Sequence, residues 1–266
     1  MMHRNTKIKG ITLIEILIGI VISSIMMGAM FTSYKVVNGS YSQVIDKANI
    51  SNKGRGFVNM LTRDIRMAGF KYFEDPLITI NKNNEPDIPI EIIKSENDKC
   101  CDSIIIIFGD YDNKKTGNAR FLRYRVEYAF RTSTSDSSVF QITKEKKIWN
   151  TTGKEFVVED DNPSTSTYNA EVVADYITDI ELIATDKLGN EIDPPPSWGE
   201  NKIGAFEIHN IEMFITFRSK KDFYKKNRTR KIFSIYDDKR NQENKDKFLR
   251  ETLTVTTYAR NMDNYR

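Results

Sequence analysis

The sequence predicts an α+β fold: one long N-terminal helix, transmembrane in its first half, packed on an antiparallel β-sheet domain. Three observations predict it. Residues 11–31 are apolar apart from Glu15. Residues 32–70 repeat apolar side chains at three- and four-residue steps with few breakers. Beyond residue 100, β-branched and alternating runs are separated by turn-forming residues. A helix laid on an antiparallel sheet buries the apolar face of each.

Residues 1–10 read MMHRNTKIKG, with Arg4, Lys7 and Lys9 and no acidic residue. Residues 11–31 follow as ITLIEILIGIVISSIMMGAMF. As a helix this run is about 31 Å long, enough to cross a bilayer core. The basic flank is expected to stay cytoplasmic, leaving the remainder on the far side of the membrane. A cleaved secretory signal fits less well. The apolar run is too long, and Phe31 follows Ala29 where a small residue is wanted. A carboxylate such as Glu15 inside an apolar span is expensive, so its presence points to function.

Past the span, Val44, Ile45 and Ala48, then Phe57, Leu61, Ile65 and Ala68, outline an apolar stripe. Asp46, Lys53, Arg63 and Arg66 fill other faces. Gly54 and Gly56 each cost about 1 kcal/mol against Ala in a helix, and mark a bend or a close approach to the domain. Gly69 is placed to end the helix. A helix over 11–69 would be roughly 90 Å long. Its second half needs a partner for the stripe, and the C-terminal region supplies one.

That region reads as strands. Residues 103–108 are a continuous β-branched run suited to a buried strand. Residues 120–130, 139–149 and 155–159 follow, and 179–185 lead into a turn at 186–190. Residues 207–218 and 248–260 alternate. Loops are expected at 81–89, 132–138, 160–168 and 192–200.

Composition narrows the function classes. The chain has 266 residues, 40 basic against 37 acidic, a net of +3. That near-neutrality argues against nucleic acid as a partner. Two cysteines exclude a disulfide-dense scaffold or a zinc ribbon. Two histidines, His3 and His209, leave too little for a histidine metal site or triad. With no phosphate-binding glycine loop, nucleophile elbow or zinc motif, neither catalysis, a cofactor nor a metal is expected. Cys100 and Cys101 are adjacent. A trans peptide holds neighbouring Cα atoms about 3.8 Å apart, against the roughly 4.4–6.8 Å that a disulfide favours. The options are a strained ring, intermolecular pairing or free thiols, with a structural or inert role favoured. Asp110, Asp112 and Asn113 suggest a calcium loop, but Lys114 occupies a ligand position, and a polar hairpin turn is the better reading. Residues 218–250 hold 13 basic and five acidic residues interleaved with aromatics. They read as a solvated loop, with DNA or an acidic partner as the rival. His209 is read as a packed or surface histidine in an alternating strand.

The segment Lys9-Gly10-Ile11-Thr12-Leu13-Ile14-Glu15 resembles the prepilin peptidase motif of type IV pilins and pseudopilins. The resemblance implies cleavage between Gly10 and Ile11, N-methylation of Ile11, and a role for Glu15 in assembly register through an N-terminal amine. Ile11 departs from the Phe usual in major pilins, and Thr32 stands where many of them place Pro. Residues 63–70 (RDIRMAGF) resemble a segment of PilW-type minor pilins, which are related to the J-type pseudopilins of type II secretion. Residues 173–182, 214–220 and 254–261 resemble further PilW-type strings in family order.

The resemblance implies a pilin-like fold with four parts: a leader at 1–10, a transmembrane helix at 11–31, the periplasmic half of the helix at 32–70, and a β-rich globular domain at 71–266. It implies a minor pilin that helps initiate type IV pilus assembly. Prepilin peptidase, other minor pilins, the major pilin, the inner-membrane assembly platform and membrane lipid are the implied partners. The implied location is the inner membrane with the C-terminal domain in the periplasm, and the pilus tip after assembly. A J-type pseudopilin, or a tip subunit with an adhesive or DNA-binding role, are the alternatives.

Overall fold

The structure is a computed structural model that describes residues 10–71, 88–95, 100–134, 136, 138–150, 155–158, 170–232 and 242–265. Most of the expected leader (1–9) and the expected loops at 81–87 and 160–168 lie outside the described residues. The chain forms two compact units, Met1–Asp46 and Lys47–Arg266. Helix α1, Leu13–Met67, contributes to both.

In the first unit, α1 is apolar around its whole circumference as far as Phe31. Ile14, Ile22, Met30 and Ile20 lie on different sides of the helix at 100° per residue, and all are exposed. Ser24 Oγ donates to Ile20 O at 2.8 Å and Thr32 Oγ1 to Gly28 O at 2.9 Å, so both hydroxyls are satisfied inside the helix. That is the arrangement a hydrocarbon surrounding demands. Thr32, at the position noted for proline, leaves the helix unbroken.

In the second unit, α1 lies against a sheet. Its buried positions are Ile50, Gly54, Phe57, Val58, Leu61, Asp64 and Ile65, a three-and-four spacing that Ala68 continues. The stripe begins later than the sequence suggests, because Val44, Ile45 and Ala48 are exposed. Lys47 Nζ reaches Glu251 Oε1 on β10 at 3.7 Å, and Ile50 is the first buried position of the helix. Gly54 marks a close approach. A Cβ there would stand 2.5 Å from Leu253 Cδ1 and 3.1 Å from Phe217 Cε2. Gly56 faces open space and marks neither a contact nor a break. Gly69 adopts φ 72°, and its N–H leaves the helix to donate to Ile107 O at 2.9 Å. Gly109 N–H then donates to Phe70 O at 2.7 Å, so the helix end is stitched directly onto a strand.

The strands are β1 (Ile90–Ile93), β2 (Ser103–Tyr111), β3 (Phe121–Thr132), β4 (Phe140–Asn150), β5 (Glu155–Val158), β6 (Glu171–Thr185), β7 (Asn210–Arg218), β8 (Arg228–Ile232), β9 (Gln242–Asp246) and β10 (Arg250–Tyr258). Their order is β1-β2-β3-β4-β6-β7-β10, with β5 on the second half of β4 and β8–β9 as a separate ribbon. The pairs in both sheets are antiparallel. The core lies between α1 and the sheet, where Leu61 and Ile65 meet Ile106, Val126, Leu182 and Met213 in one buried cluster. Three expectations change. Residues 218–250 are not simply a loop, since they contain β8 and β9. Strand β6 starts at Glu171 rather than 179. Strand β7 starts at Asn210 rather than 207, after a short 3₁₀ turn at Gly204–Phe206.

The two glycines give opposite expectations. Gly56→Ala should stabilise the protein by about 1 kcal/mol through helix propensity. Gly54→Leu should destabilise it by about 1–3 kcal/mol by wedging the helix off Phe217 and Leu253. Urea denaturation of both variants checks the pair, and equal effects would contradict the packing described.

Candidate functional site

The N-terminus is built by a local hydrogen-bond motif. Gly10, Ile11 and Thr12 are exposed and not helical, and α1 begins at Leu13. Thr12 is its N-cap. Thr12 N–H and Oγ1–H donate to Glu15 Oε2 at 2.9 and 3.0 Å, and Glu15 N–H donates back to Thr12 Oγ1 at 3.4 Å. This is a capping box, and the Thr-x-x-Glu spacing was its sequence signal. Sequence reasoning took Thr12 as part of a processing motif and missed its mechanical role. The box fixes where the helix starts, so the Gly10–Ile11 bond stays outside it. It also holds the Glu15 carboxylate at the helix N-terminus, where the peptide dipoles favour negative charge. A Cβ at Gly10 would meet nothing within 4 Å, so no contact among the described residues demands glycine there.

A second polar constellation joins helix to sheet. Asp64 is 3% exposed and sits on the apolar stripe of α1. Its Oδ2 accepts from Tyr128 Oη–H at 2.6 Å and from Lys144 Nζ at 2.6 Å. Tyr128 on β3 and Lys144 on β4 are direct cross-strand partners. The Phe57 ring meets the Tyr128 ring edge-on at 6.1 Å, closing the apolar side. Sequence reasoning singled out RDIRMAGF as a string but not Asp64 as its buried member. The signal was an acid three residues after Leu61, in register with the stripe.

The other strings that carried the resemblance are also joints. Thr257 Oγ1 lies 3.3 Å from Thr62 Oγ1, and Asn261 Nδ2 donates to Arg66 O at 2.8 Å. Arg218 is buried. Its guanidinium lies 3.9 Å from the centroid of the Phe248 ring and bonds Asp136 Oδ2 at 2.5 Å. The Ser138 hydroxyl and the Arg218 guanidinium hold the Asp136 carboxyl well below the usual carboxylate range. Ser219 N–H donates to Leu249 O at 2.8 Å, and Leu249 N–H to Ser219 Oγ at 3.0 Å.

Cys100 and Cys101 are joined as a disulfide across a cis peptide, with Cα atoms 3.1 Å apart rather than at the trans spacing assumed from sequence. Both are buried beside Asp102, which accepts from Lys94 Nζ at 3.0 Å and Leu182 N–H at 2.9 Å. The pair therefore lies at a junction of the segment after β1, the start of β2, and β6. Asp179 is near both sulfurs, but in the disulfide neither is a thiolate that could bind metal. Asp112 Oδ1 accepts from Lys114 N–H at 2.9 Å, as a turn residue does. The His209 and Tyr258 ring centroids lie 4.6 Å apart, a packed histidine.

Residues 5–31 match the family described as the prokaryotic N-terminal methylation motif. No curated protein matches the chain. Among solved structures, the type IV-like pilin TTHA1219 from Thermus thermophilus is 7% identical, with 80% of this chain and 96% of that chain covered and a TM-score of 0.44. The matched motif leads into a helix long and apolar enough to cross a membrane, and an antiparallel sheet domain follows it in the chain.

The Asp64–Lys144 pair generates a test. Lys144→Met removes the buried cation from Asp64, leaving only the exposed Arg63 at 3.7 Å, and should cost about 3 kcal/mol in urea denaturation. Adding Asp64→Leu should recover part of that loss, so the double variant is more stable than additivity allows. Simple additivity of the two single losses would contradict the pairing.

Proposed function

We propose that this chain is a PilW-type minor pilin that helps initiate type IV pilus assembly, with no catalysis of its own. The observation that carries the reading is the prepilin-type motif at 5–31 running directly into a capped, apolar helix. Prepilin peptidase removes the leader after Gly10, and the new amine on Ile11 is methylated. The exposed, non-helical backbone at residues 10–12 suits a peptidase, which needs an accessible scissile bond. Glycine at position 10 answers the peptidase, since a residue without a side chain permits close approach to its backbone.

The Glu15 carboxylate needs a cation once it lies in lipid. A processed N-terminal amine, on this chain or a neighbour, supplies it and sets the axial register of packed helices. Gly19 and Gly28 have open space where a Cβ would sit, so a neighbouring helix can approach there. Before assembly the anchor holds the protein in the inner membrane with its sheet domain in the periplasm. The domain then supplies contacts to other minor pilins, the major pilin and the assembly platform.

Two variants separate processing from assembly. Gly10→Phe should block leader removal, read as a precursor that keeps residues 1–10 by intact mass; normal processing would sink the cleavage assignment. Glu15→Ala should be cleaved normally yet fall out of the sheared pilus fraction, read by immunoblot against the membrane fraction. Undiminished incorporation would remove the register role.

A further inference from the structure

The sheet unit, Lys47–Arg266, carries charge of opposite sign on the two excursions that flank strand β7. Residues 218–232 and 242–250 hold 11 basic and three acidic residues, a formal +8. Residues 186–209 hold five acidic and two basic residues, a formal −3. The register puts these excursions at opposite ends of one strand. Asn210 opens β7 opposite Thr185, the last residue of β6, so 186–209 leaves from that end. Arg218 closes β7 opposite Arg250, so the β8–β9 ribbon leaves from the other. Nine residues of strand set the two bases about 26 Å apart.

The acidic excursion is a braced loop. His209 N–H donates to Thr185 O at 2.8 Å and Ile192 N–H to Ala184 O at 2.9 Å, closing its base. Ile92 N–H donates to Pro196 O at 2.8 Å and Trp198 N–H to Glu91 Oε1 at 3.1 Å, tying it to β1. Asn201 Nδ2 donates to Pro194 O at 2.6 Å, and Asn201 Oδ1 accepts from Gly204 N–H at 2.8 Å. On this frame Leu188, Trp198 and Ile203 are 78%, 48% and 60% exposed. Asp193, Glu200 and Glu207 are exposed on the same loop. Large apolar side chains held in water beside acids suit a protein contact. The bracing lowers the ordering cost of making one.

The ribbon is its electrostatic complement. Lys220, Lys221, Lys225, Lys226, Arg228 and Lys231 are exposed. Its base is fixed, with Phe223 and Tyr224 N–H both donating to Lys247 O, at 2.9 and 2.8 Å. Asp222 pairs with Lys247 at 3.4 Å and Asp246 with Arg250 at 2.7 Å, so these acids are matched within the excursion. The excess cations suit carboxylates from outside it, and a second copy offers them at its opposite pole. Nucleic acid is the poorer occupant, because the Arg228 guanidinium lies 4.5 Å from the Tyr224 ring centroid, where a base would stack. We infer that the β8–β9 ribbon of one copy docks on the 186–209 loop of a second copy, a head-to-tail contact. Two different patches meet in such a contact, so it can repeat along a row of copies. The inference goes beyond the proposed function and does not rest on leader processing or the anchor, since both poles belong to the sheet unit.

The test uses the full-length protein in detergent micelles, as an equal mixture of unlabelled and isotope-labelled chains, with a zero-length carbodiimide cross-linker. Mass spectrometry should find mixed-isotope links from Lys225, Lys226 or Lys231 to Asp193, Glu200 or Glu207. Their yield should fall roughly tenfold at about 0.5 M salt. Trp198→Ala should lower it by a similar factor, roughly tenfold, as loss of an exposed apolar anchor does. Reversing the ribbon (Lys225→Glu, Lys226→Glu, Arg228→Glu) should abolish the links, and so should reversing the loop (Asp193→Lys, Glu200→Lys, Glu207→Lys). Mixing the two variants should restore them, because the basic ribbon of the second meets the acidic loop of the first. Wild-type chains that give no mixed-isotope link between ribbon and loop would overturn the inference, even if they associate through residues 11–31. Links found only within single copies would overturn it too. Absent links together with salt-sensitive binding of a DNA duplex would overturn it and assign the cations to nucleic acid.

Discussion

Helix α1 is one continuous hydrogen-bonded element whose side chains have to suit a bilayer over its first turns and a β-sheet over its last. Each environment imposes its own rule. In lipid every backbone polar group must be bonded within the helix, and the surface must be apolar on all sides. Against a sheet only one stripe is apolar, and the rest must suit water. The chain obeys both rules in sequence order. Apolar residues surround the helix up to Phe31, and from Ile50 onward the buried positions keep to one face.

The capping box follows from that constraint. A helix entering lipid exposes unbonded N–H groups at its start, and Thr12 and Glu15 satisfy some of them locally. One carboxylate thereby ends the helix and leaves a short non-helical lead-in at residues 10–12. The far end is held by different means. Gly69 turns the chain out of the helix, Asn261 takes up the carbonyl of Arg66, and Asp64 reaches Tyr128 and Lys144. A buried ion pair contributes little net stability over an apolar pair, but it is costly to break. We read its role as specifying which helical turn lies over β3 and β4.

Much of this was legible in the sequence, and the misses have physical causes. The apolar span, the helix end at Gly69 and seven strands announced themselves through periodicity and turn residues. Strand β1 did not, because Ile90–Ile93 is only four residues long and follows a proline. Strands β8 and β9 were hidden by charge: RTRKI and QENKD lack an apolar face, and they are ordered by pairing with each other. Val44 and Ile45 had the right spacing for a packed stripe, yet spacing says nothing about where the sheet ends. Asp64 was visible as an acid in register with Leu61 and Ile65, but its partners lie 64 and 80 residues away. The strings that suggested a family relation turned out to contain joints: Asp64, Thr257, Asn261, Arg218 and Ser219 all bond across elements.

The proposed function requires a processed N-terminus feeding a helix that anchors, then carries, a sheet domain. Intact-mass and N-terminal peptide analysis of the protein from its native membrane, with and without prepilin peptidase, tests this most directly. The account predicts a chain that begins at N-methylated Ile11 when the peptidase is present and keeps residues 1–10 when it is absent. A chain that retains its first ten residues despite active peptidase would contradict it and leave a plain membrane anchor in its place.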